Sequence, residues 1–305
     1  MSLQAFLLRT GMRLRVKPAL RRVHTVHQFR ALFDQLITWA PPAPRSVRIT
    51  PATVGGVPGE WVEAPGTEPD RVLYHTHGGA YCWGRPAYFR PLTWRLSAAC
   101  RMAVFAVDYR LAPEHPFPAA VEDAAAAWRG LLREAGRDPR RMAIIGDSAG
   151  GGLMFATLLS LRDAGDPLPA AAVALSPWTD LAGTGDSLAV NAAADPMFPP
   201  SEGAIERTAA VYLNGADPRT PLASPLYGDL RGLPPTLIQV GSTEILLDDS
   251  RRMAERLRAA GVPVELEVWP SMPHVWHMKA DVVPEGRRAI ERIGAFVRRH
   301  LDPPP

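Results

Sequence analysis

The most informative part of this chain is Ile145-Gly146-Asp147-Ser148-Ala149-Gly150-Gly151, which places a serine between two glycines directly after an apolar run. The apolar run predicts a buried strand, and the small and apolar residues that follow the serine predict a helix. A serine in a sharp turn between strand and helix is the sequence form of a nucleophile elbow. A side chain at either flanking glycine would collide with backbone, and the helix would aim N–H groups of its first turn at a developing oxyanion.

Short apolar runs recur between helix-like stretches along the rest of the chain. From the third run onward they alternate with stretches that predict helices near 91–100, 119–135, 149–164, 249–260 and 286–300. This alternation is typical of an α/β fold with a mostly parallel sheet and helices on both faces. The eight predicted strands lie at 47–49, 61–62, 72–74, 103–107, 142–145, 171–175, 237–240 and 264–268.

Two segments do not fit the alternation. Residues 1–45 precede the first strand, and residues 181–218 interrupt the gap between the sixth and seventh strands. The second segment contains several prolines and then a helix-like stretch from 201 to 212, which predicts a small helical cap. We therefore expect a core formed by 46–180 and 219–305, covered by a cap that these two insertions build.

Composition and charge exclude several classes of function. The net charge is +3, with 34 basic and 31 acidic side chains spread along the chain, so nothing indicates nucleic-acid binding. Cys82 and Cys100 have no zinc-site spacing, and no secretory signal is visible, which favours the cytoplasm. No stretch approaches the roughly 20 apolar residues that span a bilayer. Between Leu3 and Arg22, apolar and basic residues alternate in a helical rhythm; we favour a helix packed on its own protein over one lying on a membrane.

A serine hydroxyl needs a general base, and that base needs a third group to hold its tautomer. In the nucleophile-elbow template a carboxylate and then a histidine follow the serine, each on a loop after a later strand. Glu244 is the first carboxylate after the seventh strand, and we favour it over Asp248, which with Asp249 suits the start of the next helix as cap and dipole partner. His274 has the expected place after the last strand, in contrast to its rivals His75, His77, His115 and His277.

A glycine-rich loop follows the third predicted strand, at His77-Gly78-Gly79-Ala80. In the same template, oxyanion donors come from such a loop and from the N–H of the residue after the nucleophile. Glycines allow backbone N–H groups to converge on one point where a Cβ would intrude. An ordinary Gly-Gly turn is the alternative for this loop taken alone.

These motifs together resemble the hormone-sensitive-lipase-like esterases, also called bacterial family IV. The resemblance spans most of the chain. It rests on the glycine loop with Tyr81 and Gly84, on Asp108-Tyr109-Arg110-Leu111-Ala112-Pro113-Glu114 with Pro116 and Pro118, on Gly146 to Gly151, on Gly241 to Asp249 and on Pro273-His274. It implies an α/β-hydrolase fold with an eight-stranded sheet and a helical cap.

The resemblance also implies roles for individual residues. The triad would be Ser148, Glu244 and His274, and the oxyanion hole would be formed by N–H groups of Gly78, Gly79 and Ala149. His77, Asp108, His115 and Asp147 would be structural. Two positions depart from the commoner pattern: Ala80 replaces a glycine whose N–H is not among the expected donors, and Glu244 stands where many members have aspartate.

The resemblance implies hydrolysis of short- to medium-chain acyl esters of small alcohols through an acyl-enzyme, without metal or organic cofactor. An amide or N-acyl deacetylase with the same triad is the enzymatic alternative. The second alternative is a non-catalytic ligand-binding member of the family, like the plant hormone receptors of this fold. The presence of His274 argues against this alternative. Relatives often form homodimers through the edge strand and final helix, here near 264–269 and 286–300. For an acyl pocket we expect Leu32, Phe33, Trp39, Met197, Phe198 and Tyr212.

Overall fold

In a computed structural model the chain forms one eight-stranded sheet with helices on both faces, and the structure describes residues 1–37, 41–199 and 203–302. The strands are β1 (Arg48–Val54), β2 (Val57–Glu63), β3 (Glu68–Thr76), β4 (Met102–Val107), β5 (Met142–Asp147), β6 (Ala171–Leu175), β7 (Thr236–Gly241) and β8 (Val264–Trp269). Their spatial order is β1-β2-β4-β3-β5-β6-β7-β8. Of these eight strands, β2 runs opposite to the other seven, so the predicted α/β-hydrolase architecture with a mostly parallel sheet is confirmed.

The helices that cover the sheet follow the predicted alternation within a few residues. They are α4 (Arg90–Cys100), α5 (Ala119–Arg133), α6 (Ala149–Asp163), α9 (Leu247–Ala259) and α10 (Pro284–Leu301). One apolar core joins the sheet to α5, α6 and α9, and a second joins its other face to α4 and α10. The central strands β4, β5 and β6 are buried throughout, as expected for parallel strands covered on both faces.

The remaining α-helices of the described chain lie in the two segments that do not fit the alternation. The first segment contains α1 (Leu3–Gly11), a π-helical turn (Met12–Val16), α2 (Lys17–Leu20) and α3 (Val26–Ile37). The second contains α7 (Ser187–Val190) and α8 (Ala204–Leu213). Residues 201 and 202, where the predicted second-segment helix would begin, lie outside the described residues.

One face of the N-terminal helix packs on the protein, as the sequence favoured. Ala5 is fully buried, and Leu8 packs beside the core residues Trp276 and Val283. At the start of the helix, the Ser2 hydroxyl caps the Ala5 N–H and donates to Glu285 Oε2 at 2.7 Å. The helix is therefore fastened to α10.

Candidate active site

Ser148 occupies a strained turn between β5 and α6. Its backbone has φ +55° and ψ −126°, a conformation that non-glycine residues rarely adopt. A Cβ added at Gly146 would lie 2.2 Å from the Gly150 carbonyl oxygen, and one at Gly150 would lie 2.2 Å from that of Thr76. The predicted need for glycine on both sides of the serine is confirmed, because neither collision could be relieved without moving backbone.

The structure brings Ser148, His274 and Glu244 together from three separate loops. His274 Nε2 lies 2.9 Å from Ser148 Oγ, and His274 Nδ1 lies 2.7 Å from Glu244 Oε2. All three loops follow carboxyl ends of parallel strands, which meet at one edge of the sheet. This arrangement holds the imidazole with one nitrogen toward the hydroxyl and the other toward a carboxylate.

Glu244 is fully buried, and its second carboxylate oxygen is also satisfied. Oε1 accepts hydrogen bonds from the Gly241 N–H at 2.5 Å and from the Ser176 hydroxyl at 2.8 Å. Ser176 was not predicted from the sequence, although a polar residue directly after the buried strand β6 is a signal that could have found it. These donors fix the carboxylate and leave its other oxygen for His274.

The pKa of His274 is raised above its ordinary value by the balance of two effects. Burial disfavours the charged imidazolium, but the hydrogen bond and charge of Glu244 outweigh it, with further help from the charges of Asp195 and Asp147. A site that stabilises the imidazolium favours transfer of a proton from Ser148 to His274.

The rival carboxylates after β7 do not reach His274. Asp248 accepts a hydrogen bond from the Ser187 N–H at 2.8 Å, and Asp249 accepts from the Thr179 and Asp180 N–H groups at 2.7 and 2.9 Å. The expectation that they cap their own helix is wrong, because α9 has no side-chain cap, although both lie in its first turn. Burial raises the pKa of Asp249 to about 7.

The rival histidines all have other surroundings. His75 Nε2 lies 3.0 Å from Asp147, and His77 Nδ1 lies 2.8 Å from the Gly78 carbonyl. His277 Nε2 lies 2.8 Å from Gln239, while His115 is exposed. Burial lowers the pKa of His77 to about 4 and that of His277 to about 3, so both are neutral near pH 7.

The glycine loop requires a revision of the expected oxyanion donors. The Gly78 N–H donates to Asp147 Oδ2 at 3.1 Å, so it is already engaged within the protein. Among the residues that the structure describes, the N–H groups of Gly79, Ala80 and Ala149 have no acceptor. Gly79 and Ala80 line the same cavity as Ser148. Because Ala80 was excluded as a donor on sequence grounds, that exclusion does not fit this loop.

Comparison with known proteins places this constellation in a family. A family model described as alpha/beta hydrolase fold matches residues 73–278. An acetyl-hydrolase of Streptomyces hygroscopicus is 53% identical over 246 residues, covering 81% of each chain. An esterase of Acinetobacter venetianus is 37% identical over 268 residues, covering 88% of this chain and 87% of its own. The chain belongs to the hormone-sensitive-lipase-like family of esterases.

Solved structures of the family superpose on almost the whole esterase. The crystal structure of an esterase from the bacterial hormone-sensitive lipase family matches with 45% identity and a TM-score of 0.92, over 99% of each chain. The esterase EstE5, in a crystal soaked with p-nitrophenyl butyrate, matches with 42% identity and the same TM-score and coverage.

A cavity of about 710 Å³ opens over the Ser148 hydroxyl of this esterase. Three of the predicted pocket residues line this cavity, namely Phe33, Met197 and Phe198. The Phe198 ring lies edge-on to the His274 ring, with 5.1 Å between the ring centroids. Leu32 and Tyr212 are not among its lining residues. Tyr212 instead stacks on Tyr81 at 3.8 Å inside the core, and Trp39 lies outside the described residues.

Asp195 is a second buried carboxylate beside the site that sequence reasoning missed. Its Oδ1 accepts from the Met197 and Phe198 N–H groups at 2.7 and 3.0 Å, and its Oδ2 accepts from the Ile245 N–H at 3.0 Å. Its carbonyl oxygen accepts from Lys17 Nζ. Asp195 therefore joins the cavity wall at Phe198 to the loop that carries Glu244, and no local pattern in the sequence indicates a contact across 50 residues.

Proposed function

We propose that this carboxylic ester hydrolase cleaves short- to medium-chain acyl esters with Ser148 as nucleophile, His274 as base and Glu244 as the orienting acid. The observation that carries the proposal is the unbroken chain of hydrogen-bond distances from Ser148 Oγ through His274 to Glu244. Nucleophile, base and orienting group in this order are what covalent acyl transfer requires.

In the proposed reaction, His274 Nε2 takes the proton of Ser148 while Oγ attacks the ester carbonyl. The tetrahedral intermediate collapses as the imidazolium returns that proton to the leaving alcohol, which gives an acyl-enzyme. Water then attacks the acyl-enzyme with His274 again as base, releasing the acid and restoring the serine. Glu244 orients the imidazole and stabilises the imidazolium.

The proposed oxyanion donors are the N–H groups of Gly79, Ala80 and Ala149. This set is supported by their lack of an acceptor among the described residues and by the place of Ala149 at the first position of α6, where the helix dipole favours negative charge. Gly78 then has a different part: its N–H and His75 both bind Asp147, which braces the loop.

The proposed acyl site is the cavity above Ser148, walled by segments 1–45 and 181–218 acting as a cap. Leu8, Met12, Phe33, Met197 and Phe198 from these two segments line it. An apolar pocket of this size suits an acyl chain and leaves the carbonyl to the polar end. The acetyl-hydrolase relative and the butyrate ester soaked into EstE5 support a short acyl group.

We also propose a cytoplasmic location. Cys82 and Cys100 are both free and buried, as suits a reducing compartment.

The test is hydrolysis of p-nitrophenyl esters from acetate to palmitate by the wild type, Ser148→Ala and His274→Ala. We expect short esters to be turned over by the wild type and both variants to lose nearly all activity. His115→Ala is the matched control and keeps full activity, because His115 is exposed. Activity that survives Ser148→Ala would overturn the mechanism. A parallel series of p-nitroanilides distinguishes an amidase, and ester binding without turnover would indicate the receptor-like alternative.

A further inference from the structure

The outer face of the N-terminal helix is unusually apolar for a protein surface. Seven large hydrophobic side chains are exposed in the described part of the chain, and five of them lie within residues 1–14. These five are Met1, Leu3, Phe6, Leu7 and Leu14, with exposed fractions between 52% and 70%. Phe6, Leu7 and Leu14 follow Leu3 by three, four and eleven residues, which places all four side chains on one face of a helix. Concentrated exposure of this kind marks an interaction surface.

The same segment is also strongly basic. Residues 1–33 carry seven lysine or arginine side chains and no carboxylate, since the first acidic residue is Asp34. Several of the basic groups already have partners in the protein: Arg13 and Lys17 donate to carbonyl oxygens of residues 192–195, and Arg30 pairs with Glu114. Arg15 and Arg22 are exposed and follow Leu14, the last of these apolar residues, in the sequence. The outer face therefore combines exposed apolar and cationic side chains.

We propose that this outer face, formed by Leu3, Phe6, Leu7 and Leu14 with Arg15 and Arg22, docks on an anionic lipid surface. An amphipathic helix with apolar side chains and arginine binds the headgroup boundary by burying the former and attracting acidic lipids with the latter. The helix lies on the surface and does not insert, because no helix in the described ranges is long and apolar enough to cross a bilayer.

Charge distinguishes this occupant from a second copy of the chain. Two copies that pair through the same face would bring two basic segments together, and neither segment has a carboxylate to neutralise the other. An anionic bilayer supplies the opposite charge. The opposite side of the same segment lines the catalytic cavity through Leu8, Met12 and Leu20, so docking would bring the cavity wall close to the lipid.

The experiment is co-sedimentation of the full chain with vesicles of phosphatidylcholine, with and without phosphatidylglycerol. We expect sedimentation with the anionic vesicles only, and release at high salt because screening weakens the arginine attraction. Arg15→Gln/Arg22→Gln should lower the partition constant about 20- to 30-fold, as the usual contribution of two arginines near an anionic surface predicts. Leu3→Ser/Phe6→Ser/Leu7→Ser should lower it about tenfold or more, because it removes the apolar contact.

Matched controls are Val282→Ser and Arg140→Gln, an exposed apolar and an exposed basic side chain outside this face, which should leave binding unchanged. Equal sedimentation of the wild type and both multiple variants would overturn the proposal. The proposal would also be overturned if the wild type does not bind anionic vesicles but forms a dimer in light scattering, and the triple variant is a monomer. A second copy of the chain would then cover the face. Hydrolysis of p-nitrophenyl acetate, assayed on the same preparations, should be equal in wild type and triple variant. If neither the wild type nor the triple variant hydrolyses p-nitrophenyl acetate, the catalytic proposal is contradicted, while the sedimentation result still tests the docking proposal.

Discussion

The two carboxylate oxygens of Glu244 have separate partners, and this division predicts that glutamine cannot replace the proposed acid. Oε1 accepts from two donors and Oε2 faces His274 Nδ1, so both positions require an acceptor. A glutamine must place its NH₂ group against a donor at one of them. Either the loop loses its anchor or His274 takes the wrong tautomer.

We therefore expect Glu244→Gln to lower kcat by about 10⁴, the cost of the equivalent change in other triads. Glu265→Gln is the control, because Glu265 is half exposed and its ion pair in the described chain is with Arg299. Steady-state kinetics on p-nitrophenyl acetate measures both. A Glu244→Gln variant within tenfold of the wild type would show that another group orients the histidine.

Asp195 offers a prediction about pH. In the proposed mechanism the base is neutral His274, so kcat/KM should fall as pH drops through the pKa of that residue, which Glu244, Asp195 and Asp147 together raise. Asp195→Asn removes one of these charges and should move the acidic limb of the kcat/KM profile to lower pH. Asp248→Asn removes a carboxylate that is not among the charges that raise the pKa of His274, so it should leave the limb in place. A limb unmoved by Asp195→Asn would contradict the electrostatic role.

The strand–turn–helix element around Ser148 tolerates no added atom. A Cβ at Gly150 would meet two backbone carbonyl oxygens, of Thr76 and His77, at 2.2 and 2.4 Å. We expect Gly150→Ala to destabilise the fold by about 3 kcal/mol or more, because backbone must move. Gly11→Ala is the matched control: no described atom lies within 4 Å of the added Cβ, and in α1 alanine should be neutral or stabilising by up to about 1 kcal/mol. Denaturant unfolding compares the two variants, and equal stability would contradict the packing argument.

Most elements were predictable because each depends on a local pattern. Strands such as β5 and β6 are short apolar runs between turn signals, and α5 and α10 have one apolar face, so their positions could be found without tertiary information. The order of the strands and the antiparallel placement of β2 were not predicted, since pairing joins residues far apart in sequence. The π-helical turn at Met12–Val16 also has no sequence signal that we used.

The candidate site was predictable to the extent that its chemistry follows strand ends. Ser148, Glu244 and His274 each lie in the turn or loop that follows a predicted strand, and the structure places them within hydrogen-bond distance. The oxyanion donors of the glycine loop were not predictable in the same way. The Gly78 N–H is engaged by the carboxylate of Asp147, which is distant in sequence. Tyr212 was assigned to the pocket for its apolar character, but stacking on Tyr81 takes it into the core.

At the scale of the whole molecule, the sheet ends at β8, whose outer edge has no neighbouring strand in the described chain. Homodimerisation through this edge and α10 stays a prediction. Light scattering should then give a mass of about twice 33.2 kDa. Arg299→Glu should lower this mass toward that of the monomer. Arg299 on α10 pairs with Glu265 on β8, and the variant would place two negative charges together at this edge. Arg140→Glu, an exposed change elsewhere, is the control. A wild type that scatters as a monomer would rule out this interface.

The fastening of the Glu244 loop to residues 187–195 has a consequence for how new substrate ranges can arise. Ser187 donates to the Ile245 carbonyl, Asn191 donates to the Glu244 carbonyl, and Asp195 accepts from the Ile245 N–H. A chimera that takes this segment from another member of the family exchanges the pocket wall and the support of the acid in a single step. Such a chimera should retain turnover only when its new segment contains the same three side chains. We therefore expect pocket shape and turnover to change together in this family.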